Sequence, residues 1–344
     1  MFTLIRPAPE PGAEERLAWV LDYALDGFDH ETVSRAEELD GLQGRRLLFA
    51  VAVGRGGVNL EHERMTARLR CEPELLRGCL GGVLIDGGCE LYTKSVGRSL
   101  VFSANRAGCA FIGSPLVEAT RTLQNFNIQA RLRDTDTGEA YRLAARDLVR
   151  RLLRQSPPPP IRRLLALHAS VRPASNTLAL WDLTKTGLDP AVQVDEISLR
   201  NGQLVDCCGC SYRTCLHFGE RDGCFYGGSM TREVYPALTA CDALIMLCAN
   251  YNDALAANLT ACINRMTALF RKQPFYEKQL FALIVSGYSG SDLVAQQLIA
   301  ALNMNKSFFL PPRFSLMETA NDKGSLPRLP GIEERAAAFG RSIR

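Results

Sequence analysis

Apolar and polar positions follow a regular pattern in the second half of the chain. Continuous apolar runs at residues 164–169, 243–248 and 280–285 have the length expected of strands buried in a parallel sheet. Residues 192–199 alternate between apolar and polar and predict a further strand, and residues 308–310 predict a short fifth strand. Helical segments separate these runs, so the pattern predicts a doubly wound, five-stranded parallel sheet of the α/β class.

Apolar residues at three- and four-residue spacing predict the helices between these strands. In the second half the predicted helices are residues 231–241, 253–270 with Asp253 as the N-cap, 291–302 and 332–343. In the less regular first half the predicted helices are residues 14–25, 92–105 and 140–154, and the predicted strands are 46–53 and 82–86. The first half is therefore predicted to be a smaller α/β domain.

Four consecutive prolines, Pro157 to Pro160, mark the predicted boundary between the two halves. Such a run cannot continue a helix and favours extended polyproline II. The 344-residue chain is accordingly divided into an N-terminal domain of residues 1–156, a linker of residues 157–160 and a C-terminal domain of residues 161–344.

The two halves share a similar passage. Residues 82–86, a loop and a helix ending at Asn105-Arg106 resemble residues 243–248, their loop and the helix through Asn264-Arg265. This similarity suggests a diverged repeat, although any two α/β halves share a pattern of this kind.

A polar loop, residues 170–177, follows the first strand of the second half and precedes an apolar helical segment. The N-terminus of a helix offers free backbone N–H groups and a partial positive charge, both of which favour an anion. Ser170, Ser175, Asn176 and Thr177 add neutral hydrogen-bonding groups, and Arg172 adds a cation suited to phosphate. The loop is therefore a candidate phosphate site, with a capped helix and a polar entry loop as the alternative.

Two further loops follow buried strands. Asn250, Tyr251, Asn252 and Asp253 come after the third strand, and Ser286, Gly287, Tyr288, Ser289 and Gly290 come after the fourth. Ligands of open α/β sheets bind beyond the carboxyl ends of the strands, so the three loops are predicted to converge on a flat, phosphate-bearing ligand. The second half contains neither G-x-G-x-x-G nor G-x-x-x-x-G-K-[ST], which argues against a Rossmann dinucleotide site and a P-loop.

Five of the twelve cysteines fall between Cys207 and Cys224. Cys207, Cys210, Cys215 and Cys224 are candidate ligands of an iron–sulfur cluster or a zinc ion. Redox or regulatory thiols and purely structural cysteines remain alternatives at this stage. The other cysteines are scattered, and several lie in apolar runs where they are expected to be buried.

The overall charge gives no support for a nucleic-acid or membrane partner. The net charge is +3, and aromatic residues do not alternate with basic runs. No stretch has the length of a membrane span, and the N-terminus lacks a basic-then-apolar signal, so a cytoplasmic location is expected.

Taken together, residues from about 161 to 343 resemble the flavodoxin-like NAD(P)H-dependent FMN reductase and iron–sulfur flavoprotein superfamily. The first loop of that family reads roughly G-S-P-R-x-x-S-N-T, and here it is ASVRPASNT, from Ala169 to Thr177. The family motif C-x-G-C corresponds to Cys207-Cys208-Gly209-Cys210, and the P-x-Y motif after the third strand corresponds to Ala249-Asn250-Tyr251.

The resemblance implies a role for each loop. FMN phosphate would be held by Ser170, Arg172, Ser175, Asn176 and Thr177. The isoalloxazine ring would be flanked by Asn250, Tyr251, Asn252, Asp253, Ser286, Gly287, Tyr288 and Gly290. The chain departs from the family at Ala249, which replaces a proline, at Gly227-Gly228, which replaces an acidic pair, and in the wider spacing of its cysteines.

The function implied by this resemblance is that of an FMN-binding, NAD(P)H-dependent oxidoreductase whose electron acceptor is a small molecule or a protein. The flavin carries the electrons, so no catalytic side chain is assigned. A homo-oligomer is expected, and residues 1–156 resemble a degenerate copy that has lost the phosphate loop. The alternatives are an electron-transfer protein with an iron–sulfur cluster and a non-catalytic binding or thiol-sensing protein.

Overall fold

The computed structural model describes residues 2–9, 15–171, 175–199, 202 and 204–344. They fall into two compact units, one of Met1–Pro157 with Pro311–Arg313 and the other of Pro158–Leu310 with Phe314–Arg344. The chain thus passes from the first unit to the second within the four-proline run.

The first unit contains a five-stranded parallel sheet. Its strands are β1 (Phe2–Ile5), β2 (Glu31–Val33), β3 (Arg46–Val53), β4 (Leu80–Gly87) and β5 (Ala110–Ala119). Its helices are α1 (Glu15–Leu25), α2 (Leu60–Cys71), α3 (Thr93–Arg106), α4 (Asn127–Arg133) and α5 (Thr137–Arg154). The strand order is β2-β1-β3-β4-β5.

The second unit contains another five-stranded parallel sheet. Its strands are β6 (Arg163–His168), β7 (Gln193–Ser198), β8 (Ala243–Ala249), β9 (Gln279–Ser286) and β10 (Ser315–Thr319). Its helices are α6 (Asn176–Lys185), α7 (Tyr212–Gly219), α8 (Tyr235–Ala240), α9 (Ala257–Lys272), α10 (Ser291–Leu298) and α11 (Ile332–Ser342). The order β7-β6-β8-β9-β10 is the 2-1-3-4-5 order of flavodoxin-like folds, which confirms the predicted fold class.

The central strands of the second unit are buried on both faces, as their continuous apolar sequences predict. Leu164, Ile245 and Leu283 lie in one hydrophobic cluster with Trp181 of α6, whose side chain is fully buried. The Trp181 indole Nε1 donates a hydrogen bond to Glu196 Oε2 at 2.8 Å, so its polar atom has a partner. This packing fixes α6 against the sheet.

The predicted fifth strand at residues 308–310 is wrong. Phe309 makes only an isolated bridge to Gln279, and the fifth strand is β10, which pairs with β9 from Ser315 to Thr319. Pro311 and Pro312 follow the apolar residues, and because proline cannot donate a ladder hydrogen bond, the strand does not continue there.

Two helix boundaries also differ from the prediction. Helix α9 begins at Ala257, and Asp253, predicted as its N-cap, lies four residues earlier with a left-handed φ of 58°. Helix α8 is preceded by a π-helical segment, Met230–Val234, and α10 is followed by another, Ile299–Met304. Within the described residues, no helix is both long and apolar enough to cross a membrane.

Both units have the same strand order, which is consistent with a degenerate copy. However, the sequence comparison aligned residues 82–86 with residues 243–248, and these two strands are not equivalent in the two sheets. Residues 82–86 belong to β4, the fourth strand of its unit, whereas residues 243–248 belong to β8, the third. The strand in the first unit that is equivalent to β8 is β3.

Candidate functional site

The loops that follow β8 and β9 meet at the carboxyl edge of the second sheet. The Asn250 side-chain Nδ2 donates to Ser286 Oγ at 3.0 Å and to the Ser289 carbonyl at 3.1 Å, and the Asn250 backbone N–H donates to the Val285 carbonyl. Gly290 has a φ of 90°, and a Cβ there would lie 2.0 Å from Asp253 Oδ1. The positive φ favours glycine at this position, and an added Cβ would require the Asp253 side chain to move, so this contact and the Asn250 hydrogen bonds link the two loops.

The loop after β8 is a tight turn. Tyr251 and Ala254 form an isolated antiparallel bridge, and Asn252 and Asp253 both have left-handed φ values, of 53° and 58°. Gln297 of α10 fixes the turn, since its side chain donates to the Asp253 carbonyl at 2.9 Å and accepts from Leu255 N at 3.1 Å. Two adjacent non-glycine residues in this conformation store strain, which is common at ligand sites.

Exposed aromatic rings and one unsatisfied acceptor face this edge. Tyr251 is 59% exposed and Tyr288 is 78% exposed, which is unusual for side chains of this size. Asn250 Oδ1 is buried and finds no hydrogen-bond partner among the described residues. A buried acceptor without a partner costs free energy, so this atom is suited to accept a hydrogen bond from a ligand.

The predicted phosphate loop is described only in part. Arg172 lies outside the described residues, as do Pro173 and Ala174. Ser175 is the N-cap of α6, where its Oγ accepts from Leu178 N at 3.2 Å, and Thr177 is buried. The Ser170 carbonyl accepts a hydrogen bond from His168 Nδ1 at 3.0 Å. The start of α6 therefore lies at the same edge as the other two loops.

A fourth loop, residues 320–326 after β10, joins this site and was missed from the sequence. The Asn176 side chain donates to the carbonyls of Ala320 and Asp322, at 3.0 and 2.8 Å. Asn321 Nδ2 donates to the Tyr288 hydroxyl at 3.4 Å. The misplaced fifth strand hid this loop, although the turn-forming run Asn321-Asp322-Lys323-Gly324 was a signal for it.

The four predicted cysteine ligands line one cavity of about 140 Å³ between α7 and α9. Their neighbours in the lining include the aromatic side chains Phe218, Phe225 and Tyr226 and the polar side chains Thr214, Asn264, Arg265 and Arg271. Gly219 of α7 lies so close to α9 that a Cβ there would be 2.2 Å from the Ala268 carbonyl oxygen. The close contact between α7 and α9 brings the cysteine loop, residues 207–224, against α9.

The cavity contains a buried cation. Arg265 is 2% exposed, and its terminal nitrogens donate to the carbonyls of Gly227 at 2.6 Å and Val205 at 3.3 Å. Its Nε has no hydrogen-bond partner among the described residues. Burial raises the pKa of the Cys215 thiol, and a hydrogen bond with Cys208 raises the pKa of Tyr226 to about 12.

Across the described ranges, no three His, Cys, Asp or Glu side chains are grouped as a metal-ion site. The metal role of Cys207, Cys210, Cys215 and Cys224 thus stays a prediction. Five cysteines outside the cysteine loop are buried, as expected from their apolar surroundings: Cys79, Cys109, Cys241, Cys248 and Cys262. Burial raises the pKa of Cys241 to about 11 and that of Cys262 to about 12, so these thiols are inert.

Part of the chain matches a known protein family. Residues 162–322 match the family model described as NADPH-dependent FMN reductase. This segment is similar to FMN reductases and is called the FMN reductase-like segment below. The FMN reductase-like segment thus spans β6 to the loop after β10 and includes every predicted site residue. The match confirms the resemblance drawn from the sequence.

Solved structures similar to the chain share a low identity with it. RosB, with a bound 8-demethyl-8-formylriboflavin-5'-phosphate intermediate, is 12% identical over 52% of this chain and 75% of RosB, with a TM-score of 0.41. The NAD(P)H:quinone oxidoreductase of Methanothermobacter marburgensis is 15% identical over 53% of this chain and 95% of its own, with a TM-score of 0.38. The Trp repressor binding protein of Bacillus subtilis is 18% identical over 53% and 98%, with a TM-score of 0.34. No curated protein matches the chain.

The side chains of the FMN reductase-like segment suit FMN in kind. Asn250 Oδ1, which has no hydrogen-bond partner in the described part of the chain, is suited to accept from a ring N–H, and the exposed Tyr251 and Tyr288 are suited to stack against a planar ring. The start of α6 suits a phosphate.

Proposed function

We propose that residues 161–344 bind FMN and catalyse an NAD(P)H-dependent reduction. The observation that carries this proposal is the convergence of the loops after β6, β8 and β9 at the carboxyl edge of a 2-1-3-4-5 sheet. Ligands bind at this edge in open α/β sheets, where the strand order reverses beside β6.

Each part of the site would bind a different part of FMN. The phosphate would lie at the start of α6, where Ser170, Ser175 and Thr177 would supply hydrogen bonds, and by the family resemblance Arg172 would supply charge. Bound FMN supplies two-electron chemistry, with NAD(P)H as the donor of hydride.

The ring would lie between the loops that carry Tyr251 and Tyr288. Asn250 Oδ1 would accept a hydrogen bond from the ring and fix its orientation. Tyr251 and Tyr288 would hold the ring by stacking, and the nicotinamide and then the acceptor would approach it from solvent.

The first test is the visible spectrum of the purified protein titrated with FMN and then treated with NADPH or NADH without air. We expect a two-band flavin spectrum that bleaches with one of the two nucleotides. A protein that neither retains nor binds FMN would contradict the proposal and would favour a binding or thiol-sensing role.

Two glycine-to-alanine variants, one at the proposed FMN site and one far from it in the sequence, test where FMN binds. Gly290 and Gly27 both have positive φ values, of 90° and 81°, so alanine strains the backbone at either position by about 1–2 kcal/mol. Only at Gly290 would the added Cβ also meet Asp253, since nothing lies within 4 Å of such an atom at Gly27. We expect Gly290→Ala to weaken FMN binding at least tenfold and Gly27→Ala to leave it unchanged.

A second candidate adds an iron–sulfur cluster to the flavin, for transfer of single electrons to a protein acceptor. The convergence of Cys207, Cys210, Cys215 and Cys224 on one cavity beside the buried Arg265 favours it, because a positive charge offsets the negative charge of thiolate ligands. Iron and acid-labile sulfide would be measured after anaerobic purification. Cys210→Ser should remove both, whereas Cys71→Ser, at an exposed cysteine outside the cavity, should not.

A further inference from the structure

Asn176 is the first residue of α6, where the family resemblance places a ligand of the FMN phosphate. Its side-chain amide is already engaged within the protein. Nδ2 donates to the Ala320 carbonyl at 3.0 Å and to the Asp322 carbonyl at 2.8 Å, and Oδ1 accepts from Leu326 N at 3.2 Å. A primary amide has two N–H donors, so none is left for a phosphate oxygen.

The segment that Asn176 holds, residues 320–326, reaches the other end of the site. Asn321 Nδ2 donates to the Tyr288 hydroxyl at 3.4 Å, and Thr319 Oγ1, at the end of β10, donates to the Tyr288 carbonyl at 3.2 Å. A Cβ at Gly287 would lie 3.4 Å from Asn321 Oδ1, so the backbone here is in close contact with the segment. The 320–326 segment therefore links the start of α6 to the loop that carries Tyr288.

We infer that Asn176 is a positioning residue, which places Tyr288 for the flavin ring through the 320–326 segment and does not bind the phosphate. The inference rests on the proposed FMN site. Three hydrogen bonds from one side chain fix three points of a surface loop, and Tyr288, at 78% exposure, depends on that loop for its orientation.

Comparing FMN with riboflavin, which lacks the phosphate, separates the two roles of Asn176. For Asn176→Ala, we expect the affinities for FMN and riboflavin to fall by the same factor, about tenfold for the loss of two or three hydrogen bonds. The ratio of the two affinities would then equal that of the unaltered protein. A fall in FMN affinity alone would show that Asn176 binds the phosphate and would overturn the inference.

A double-variant cycle tests the link to Tyr288. If Asn176 acts through Tyr288, Asn176→Ala should weaken flavin binding much less in a Tyr288→Ala background than in the unaltered protein. Flavin fluorescence, quenched by a stacked tyrosine, should rise in the bound state of both single variants. Fully additive effects on affinity would contradict the link.

Asn258 supplies a matched control, because it lies in the first turn of α9 and its Nδ2 donates to the Leu199 carbonyl at 2.7 Å. Asn258→Ala should leave the affinities for both flavins unchanged. Should Asn176→Ala fail to fold, Asn176→Ser shortens the side chain and removes one donor without adding a charge, and it should give a smaller loss with the same affinity ratio.

A measurement without flavin separates failure of this inference from failure of the proposed function. Trypsin cleaves after Lys323, in the middle of the segment. Cleavage of the apoprotein at Lys323 should be faster in Asn176→Ala than in the unaltered protein or in Asn258→Ala. Unchanged cleavage would overturn the inference even if the unaltered protein binds FMN. If Asn176→Ala is cleaved faster but the unaltered protein binds neither flavin, the proposed function and the role of Tyr288 toward the ring are both refuted.

Discussion

At the scale of single residues, His62 makes stability depend on pH. It is buried in α2 of the first unit, and burial, reinforced by the nearby positive charge of Arg70, lowers its pKa from 6.5 to about 4. The folded protein therefore holds His62 neutral, while the unfolded chain binds a proton below pH 6.5. Stability from this residue is complete above pH 6.5 and is lost as the pH falls toward 4.

Between pH 7 and pH 5 we expect His62 to reduce the free energy of unfolding of the first unit by about 2 kcal/mol. Chemical unfolding at the two pH values measures this loss, and His62→Gln should remove most of it. The exposed His30 is the control. His30→Gln should leave the change in the free energy of unfolding between pH 7 and pH 5 as it is in the unaltered protein. Equal pH dependence in the His62 variant and the unaltered protein would contradict the assignment.

Contacts between residues close in the sequence could be predicted, whereas contacts between distant residues could not. Cys207, Cys210, Cys215 and Cys224 are close in the sequence, so their meeting at one cavity was predictable from spacing. The partners of Asn176 lie about 150 residues further along the chain. Nothing in the sequence around Asn176 indicates that its side-chain amide binds the 320–326 segment, because that contact depends on the path of the chain after β10.

At the scale of elements, burial decided which strands could be predicted. Strands β6, β8 and β9 are covered on both faces, so their sequences are continuous apolar runs that mark them unambiguously. The edge strand β10, SLMET, is short and half-exposed, and its sequence carries little signal. The apolar residues 308–310 gave a stronger but misleading signal, since they are buried without joining the sheet.

Helices α6 and α11 pack at a distance that only glycine allows. A Cβ at Gly340 would lie 2.2 Å from the Thr184 carbonyl oxygen, and one at Gly187 would lie 2.0 Å from that of Ala337. Backbone atoms cannot move aside as a flexible side chain can, so Gly340→Ala must push the helices apart. We expect it to destabilise the second unit by about 1–3 kcal/mol, measured as a lower unfolding temperature. Ala338→Ser, at an exposed position of the same helix, should cost less than 1 kcal/mol.

At the scale of the whole molecule, two units with one strand order have diverged in the chemistry of the same edge. Helix α1 of the first unit corresponds to α6, yet the sequence before it is Pro-rich, and Glu15 stands in its first turn. A carboxylate at a helix N-terminus repels a phosphate and satisfies the helix dipole itself. The shared topology could be predicted from the sequence only in outline, because three strands of the first unit were not recognised: β1 and β2, which are short, and β5.

The carboxyl edge of the first sheet is occupied by an ion pair where a flavin would have to lie. Arg16, the second residue of α1, reaches across to β4 and binds both oxygens of Asp86 at 2.8 and 2.9 Å, and it also donates to the carbonyls of Gly87 and Arg121. Asp86 is 5% exposed, so opening this edge would leave a buried carboxylate unpaired, at a cost of several kcal/mol.

We therefore expect one FMN per chain, although the chain contains two flavodoxin-like sheets. Titration of the whole protein at concentrations far above the dissociation constant should reach its end point at one equivalent. Gly290→Ala, which alters only the second unit, should weaken that single binding event at least tenfold and reveal no second one. An end point at two equivalents, or a binding event whose affinity Gly290→Ala leaves unchanged, would show that the Arg16–Asp86 pair yields to a ligand. In that event Arg16→Ala, which leaves Asp86 unpaired, should change the second binding event and leave the first as it is.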